Sequence, residues 1–318
     1  MPLISVIMPM RNAEAFVHEA VSSVLAQPGV EMELVVVDDG STDHSAEIVQ
    51  AFRDPRIRIV PGPRKGIAAA LNAGLAEARG DFFARCDSDD WYAPNRFARQ
   101  LAFLQNNPEF GAVCGKYTLV TENGKSVLDS VMNNTSEEIT NELRTGYGRT
   151  HLCTYLIRMH FVKELSGFRE YFVGTEDSDF LLRLGEQTRV WFEPIHNYTY
   201  RLHGESITHT QSHALRDWYE KLMVEFQLQR QKLGIDQLQV GRPPPVPNFG
   251  TEPKTPEKRI QEELLGRAWK EHRRGNKSDA ILAAWKGCVR RPINWKAWRS
   301  FIAIVLKRTP RPKMFMLL

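Results

Sequence analysis

The sequence predicts an α/β protein, a mixed and mainly parallel sheet with helices on both faces, followed by a C-terminal helical extension. Three observations carry that expectation. Short β-branched runs alternate with helical patterns through the first 110 residues. Polar and acidic residues recur where those runs end, which is where parallel sheets bind ligands. Composition and charge then change across the proline-rich stretch "GRPPPVPNFGTEPKTPEK".

Four runs read as strands in order: "ISVIMPM", "ELVVVDD", "IRIVP" and "DFFARCD". Between them, "AEAFVHEAVSSVLAQ", "DHSAEIVQAFR" and "GIAAALNAGLAEAR" repeat apolar residues every three or four positions, as an amphipathic helix does. Thr42 or Asp43 is available to cap the second helix. Pro94 suits the first turn of a further helix, "NRFARQLAFLQNN". The strand ends bring Arg11 and Asn12, Asp38 and Asp39, Pro61 to Lys65, and Asp87 to Asp90 to one acidic rim. We expect a domain at 1–235 with halves at 1–110 and 111–235, a linker or surface strap at 236–257, and a basic helical extension at 258–318.

Composition narrows the function. No apolar window reaches the roughly 18 residues of a membrane span, and "LISVIMPM" follows Met1 without a basic leader, so a cytoplasmic protein is expected. Cys86, Cys114, Cys153 and Cys288 lack the paired spacing of zinc sites and read as buried thiols. The net charge of +4 hides an asymmetry: residues 258–318 hold 16 Lys and Arg against 4 Asp and Glu, leaving 26 against 34 for residues 1–257.

The segment "FFARCDSDDWYAPNR" crowds Asp87, Asp89 and Asp90 at the end of an apolar run. Neighbouring carboxylates raise the cost of ionising one another, so a cation or water must offset the charge. "MPMRNAEAF" lacks the Gly-x-Gly-x-x-Gly turn of a dinucleotide site, and no Gly-Lys-Ser/Thr loop is present. An Asp-x-Asp at a strand end instead suits a hard divalent cation that keeps positions open for phosphate oxygens.

Five blocks, "SVIMPMRNAEAFVHEAVSSVLAQ", "ELVVVDDGSTD", "GIAAALNAGLAEARGDFFARCDSDDWYAPNRFARQ", "LSGFREYFVGTEDSDFLLRL" and "YRLHGESIT", follow one another between about residues 3 and 210. Their order and spacing resemble family 2 glycosyltransferases, inverting enzymes of the GT-A fold. The resemblance implies a nucleotide-sugar donor, usually a UDP-sugar, a Mn²⁺ or Mg²⁺ ion, and single displacement with inversion at the anomeric carbon.

The same resemblance suggests roles by position. Pro9, Arg11 and Asn12 would line the base and ribose, and Asp38 and Asp39 would accept hydrogen bonds from uracil or ribose. The plainer alternative for Asp38 and Asp39 is capping of the loop "DDGSTD". Gly66 and Asn72 fall where the family approaches the nucleotide; Leu71 stands where many relatives have Arg. Asp87 and Ser88 would also face the nucleotide, with Asp89 the direct metal ligand and Asp87 a second contact. Asp90 would cap the turn, Arg85 would either offset the cluster's charge or face the next strand, and Trp91 could stack on a sugar but reads rather as a core or lid anchor.

Inversion needs a base to take the acceptor hydroxyl's proton. Asp177 is the candidate, with Glu176 as its partner or an acceptor contact, although two acids opening a helix are also a plain helix-start signal. Arg201 and His203, flanked by Ser206, are candidate diphosphate or metal contacts, and His151 falls near the acceptor side. The Gln-x-x-Arg-Trp signature of processive synthases is missing after residue 180, which favours transfer of one sugar.

The resemblance points to a saccharide or lipid-linked acceptor in cell-surface polysaccharide or glycolipid assembly. The basic extension, with Trp269, Trp285, Trp295, Trp298 and Phe301, fits either of two readings. It lies on an anionic membrane surface, peripheral at the inner face, or it is a helical hairpin packed on the catalytic domain with its tryptophans buried. No nucleic-acid motif accompanies the charge. Two rival functions are a catalytically silent nucleotide-sugar-binding subunit and a nucleotidyltransferase; the latter normally needs a Gly-rich activating loop that is missing here.

Overall fold

β1 (Leu3–Met10) lies inside the sheet, and every residue from Ile4 to Met10 is buried. In this computed structural model residues 1–129, 135–146, 148–203, 213–249 and 256–308 are described. The chain forms two compact units, Met1–Leu202 with Ser212–Phe249, and His203–Gln211 with Gly250–Leu318.

In the first unit β1 is followed by α1 (Val17–Leu25), β2 (Glu31–Asp38), α2 (Ser45–Gln50), β3 (Ile57–Pro61), α3 (Ile67–Glu77) and β4 (Phe82–Arg85). Next come β5 (Trp91–Tyr92), α4 (Arg96–Asn106), β6 (Phe110–Thr121), β7 (Ser126–Asp129), β8 (Glu137–Glu138) and α5 (Thr140–Arg144). β9 (Leu156–Arg158), α6 (Met159–Glu164), α7 (Glu176–Gln187), β10 (Arg189–Leu202) and α8 (His213–Leu233) complete it. The sheet order is β3-β2-β1-β4-β9-β6-β10-β5, with β7 on β6 and β8 on β10. β1 pairs in parallel with both β2 and β4, while β9 runs antiparallel to β4 and β6.

The strand period of two sorts the core into two faces. Ile4, Val6, Met8 and Met10 pack with Val17, Val21 and Val24 of α1 and with Phe97, Leu101 and Leu104 of α4. Ile7, Val35 and Val37 face the other way, onto Ala70 and Leu71 of α3 and Phe180 and Leu184 of α7. Each such aliphatic or aromatic side chain, fully removed from water, contributes about 1.5–3 kcal/mol before entropy is counted. α3 reaches β1 closely because Gly74 has no side chain: a Cβ there would sit 2.4 Å from Ile7 Cγ2.

Two local expectations change. Pro94 lies ahead of α4 rather than in its first turn, because the N-cap residue Asn95 adopts a left-handed φ of 58° and the helix starts after it. α2 is shorter than its apolar pattern, covering Ser45–Gln50; Asp43 accepts the Ser45 N–H at 3.1 Å at its start. The proline stretch up to Phe249 belongs to the first unit, where Tyr171 donates its hydroxyl to the Pro244 carbonyl at 2.6 Å.

The second unit contains α9 (Pro256–Arg274), α10 (Lys277–Arg290) and α11 (Trp295–Leu306). Its core is small: Ala268, Ala280, Ala283, Ala284 and Ile304, with Leu265, Trp269, Ile281 and Phe301 at the margin. Gln261 ties α9 to α10 by donating to the Gly287 carbonyl at 2.8 Å, and accepts the Asn294 amide from the turn before α11 at 2.5 Å. The Asn294 side chain caps α11 by accepting the Lys296 N–H at 3.2 Å.

Candidate active site

Because β2 and β3 extend the sheet to one side of β1 and β4 pairs on the other, the strand order reverses between β1 and β4. A crevice opens at such a reversal, beyond the carboxyl ends of the strands. The turn 86–90 that follows β4 stands at that place.

Three acids occupy this turn in three different environments. Asp87 is gripped by Arg85, whose Nε and Nη2 donate to its two carboxylate oxygens at 2.6 and 3.1 Å. Burial opposes the charge on Asp87, but the Arg85 guanidinium outweighs it and holds the carboxyl below its usual range. Asp90 is buried, accepting the Tyr198 hydroxyl at 2.6 Å and the Arg201 N–H at 2.7 Å. Burial, and then the charges of Asp89 and Asp87, push its carboxyl well above the usual range. Asp89 is half-buried, and Ser88 between the acids is buried.

Arg85 also extends away from the turn. Its Nη1 donates to Glu176 Oε1 at 3.3 Å, so one buried cation joins the Asp-x-Asp turn to the first residue of α7 across 91 positions of sequence. This decides between the two sequence readings of Arg85: it offsets the charge. Glu176 is 3% exposed, and its other oxygen, Oε2, is buried without a hydrogen-bond partner. Burial, reinforced by the charge of Asp177, pushes its carboxyl up to about 7.

Asp177 differs from its neighbour in access. Its side chain is 23% exposed, with Oδ2 3.8 Å from His151 Nε2, and its Oδ1 accepts the Ser178 N–H at 2.8 Å. His151 stacks parallel to Tyr198 at 6.3 Å. Burial lowers its pKa, opposed by the nearby carboxylate of Asp177. The segment after His151 is held by Arg96, which is fully buried and donates to the Cys153 and Tyr155 carbonyls at 2.6 and 2.9 Å. Arg96 and Tyr198 are residues that sequence reasoning missed. An arginine in the fourth strand's following helix pattern and a tyrosine near a strand end carry no local signal of this kind.

Other expected contacts are engaged with protein. Arg201 donates to the carbonyls of Asp89 at 3.0 Å and Glu122 at 2.7 Å, pairs with Glu19, and lies over the Trp91 ring at 4.6 Å. Its guanidinium therefore clamps the acidic turn in this structure, over the Trp91 ring. Asn72 Nδ2 donates to the Phe168 carbonyl and its Oδ1 accepts the Phe168 N–H, both at 2.8 Å, so its amide joins α3 to the approach of α7. Asp38 accepts the Ser41 N–H at 2.8 Å, and buried Asp39 accepts those of Arg64 and Gly66 at 2.6 and 3.1 Å. Loop capping is thus present at both positions.

Pro9 is buried in β1, and Arg11 is exposed just beyond it. Asn12 is exposed and accepts the Thr42 N–H at 2.8 Å. Gly66 has a φ of 93°, a left-handed value that glycine adopts without strain. His203 is buried and falls in the second unit, and Ser206 lies outside the described residues. All four cysteines are free and buried, as their spacing implied.

The sequence profile described as "Glycosyl transferase family 2" matches residues 5–170. The chain belongs to glycosyl transferase family 2. A curated relative from Rickettsia bellii (strain RML369-C), named as an uncharacterized glycosyltransferase, is 30% identical over 210 residues. That alignment spans 64% of this chain but 30% of the relative. Staphylococcus aureus TarS 1–349, solved with UDP-GlcNAc, superposes with a TM-score of 0.60 at 19% identity, covering 95% of this chain and 90% of TarS. The mannosyltransferase PcManGT from Pyrobaculum calidifontis, solved with GDP-Man and Mn²⁺, gives 0.52 at 18% identity, covering 96% and 85%. These neighbours establish the GT-A fold of the chain.

The carboxylates of the turn are hard oxygen donors of the kind that divalent cations such as Mg²⁺ take. Among the described residues no group of three or more His, Cys, Asp and Glu side chains converges on a metal position. Asp87 is held by Arg85 and Asp90 by Tyr198 and Arg201, and Asp89 stands half-buried between them.

Proposed function

We propose that this glycosyltransferase moves one sugar from a nucleotide-diphosphate donor, a UDP-sugar first among them, to a hydroxyl of a saccharide or lipid-linked acceptor, with inversion. Its setting in this reading is cell-surface polysaccharide or glycolipid assembly at the cytoplasmic side of a membrane. The observation that carries the proposal is the double reach of Arg85, which holds the Asp-x-Asp turn and the start of α7 beside one another. The nucleotide sugars named with TarS and PcManGT support the donor class.

Asp177 is the base in this reading. The acceptor oxygen attacks the anomeric carbon from the face opposite the diphosphate, the carbon–oxygen bond forms as the bond to the diphosphate oxygen breaks, and the hydroxyl proton passes to Asp177. Partial exposure gives Asp177 access to an acceptor, whereas Glu176 beside it is buried against Arg85. A bound Mn²⁺ or Mg²⁺ on Asp89 would stabilise the charge of the departing diphosphate. Asp87 and Ser88 would flank the ribose. Arg11, Asn12, Asp38, Asp39 and the 62–66 loop would frame the base, with Asp38 and Asp39 acting mainly by shaping that frame.

A donor screen tests this. UDP-, GDP- and dTDP-sugars with Mn²⁺ are offered to the wild type, Asp89→Ala and Asp177→Ala, scoring thermal shift and release of nucleotide diphosphate. One donor is expected to stabilise and turn over slowly on the wild type. Asp89→Ala should lose both effects, and Asp177→Ala should keep binding while losing turnover by about 10²–10⁴-fold. Binding with no turnover on any of the three proteins would instead support a silent binding subunit.

A further inference from the structure

The α10–α11 hairpin reverses the usual order of burial. Its inner face is made of Ala280, Ala283, Ala284 and Ile304, while Trp285 is 48% exposed, Val289 55%, Ile293 96%, Trp295 62%, Ile302 53% and Leu306 77%. Soluble surfaces seldom present large apolar side chains so densely, and a contiguous patch of them marks an interaction site. On α10 the positions 285 and 289, and on α11 the positions 295, 302 and 306, recur at helical spacing and form one stripe per helix. The stripes join where the Trp285 ring meets Trp298 and Phe301, both at 5.8 Å.

Charge selects the partner. Between Lys277 and Arg308 the chain carries eight Lys and Arg and a single acid, Asp279. Arg290, Lys296, Arg299, Lys307 and Arg308 are exposed along with the apolar stripes. We propose that this face docks on an anionic lipid bilayer, with the two helices lying in the headgroup layer, tryptophans and aliphatic side chains inserted and cations reaching lipid phosphates. Docking rather than spanning follows because no described helix is long and apolar enough to cross a membrane. A second copy of the chain is disfavoured, since a self-complementary contact would set these cations against one another. Nucleic acid would pair with the cations but leave Val289, Ile293, Ile302 and Leu306 in water.

The purpose of the surface, bringing the enzyme to a lipid-linked acceptor, rests on the function proposed above. The binding itself needs neither donor nor acceptor, so the two ideas fail separately. The test is flotation of the full chain with phosphatidylcholine vesicles, with and without roughly one-third phosphatidylglycerol, at low and high salt. The wild type should float with the anionic vesicles, more weakly as salt rises, and not with the neutral ones.

Ile293→Asp with Leu306→Asp alters two largely exposed positions, and Arg290→Glu with Lys296→Glu reverses two exposed cations. Each pair should lower partition at least about tenfold with an unchanged melting temperature. The proposal is overturned if the wild type stays at the bottom of the gradient, floats equally with neutral vesicles, or floats undiminished in both variants. It is equally overturned if vesicles never bind while light scattering shows a dimer that Ile293→Asp dissolves, or while an RNA oligonucleotide binds.

Discussion

Glu176 and Asp177 are adjacent in sequence but differ in access and burial. Glu176 faces inward to Arg85 with one oxygen unpartnered, and its carboxyl is displaced from an ordinary value of 4.5 up to about 7. Folding therefore takes up a proton at Glu176 between those values. Stability from this group is greatest below about pH 4.5 and is lost as pH rises toward 7. Each unit of such displacement corresponds to about 1.4 kcal/mol. Glu176→Gln removes that dependence, so its melting temperature relative to the wild type should climb between pH 5 and pH 8. Differential scanning calorimetry at both pH values checks this, and parallel curves would mean that Glu176 stays ionised throughout.

At the scale of elements, β10 and the acidic turn are held together by Arg201. A diphosphate ligand and a structural clamp predict different outcomes for Arg201→Ala. As a clamp, its loss leaves the Asp89 and Glu122 carbonyls without their donor and removes a cation from the Trp91 and Phe16 rings. Losing several bonds to a buried charged group costs on the order of 3 kcal/mol. The ligand-free variant should therefore melt several degrees lower. An unchanged melting temperature with weakened donor binding would return Arg201 to the diphosphate. Sequence reading leaves the two roles open, because the pattern "YRLHGESIT" gives a position but not the direction of a long side chain.

For the molecule as a whole, the parallel half of the sheet was legible because β1, β2, β3 and β4 are short apolar runs separated by helical periods. The later strands were not. β10 is interrupted by Glu193, Pro194 and His196 and shifts register against β6, and β5 is two residues long, so neither shows a clean alternation. Candidate site residues were legible where a strand ended in acids, as at Asp87 and Asp89. Arg96, Tyr198 and Asn72 act across 57, 108 and 96 positions, which no local pattern encodes. The exposed tryptophans of the second unit were ambiguous in sequence because composition does not say which side of a helix packs.

The central claim is that Asp89 and Asp177 are the two halves of one transferase site, the first for the metal-diphosphate and the second for the acceptor. Titration calorimetry of UDP, with and without Mn²⁺, into the wild type, Asp89→Ala and Asp177→Asn tests it most directly. The account predicts Mn²⁺-dependent binding to the wild type, equal binding to Asp177→Asn, and at least about a tenfold loss in Asp89→Ala, a difference of about 1.4 kcal/mol. Equal, metal-independent binding to all three proteins would contradict it.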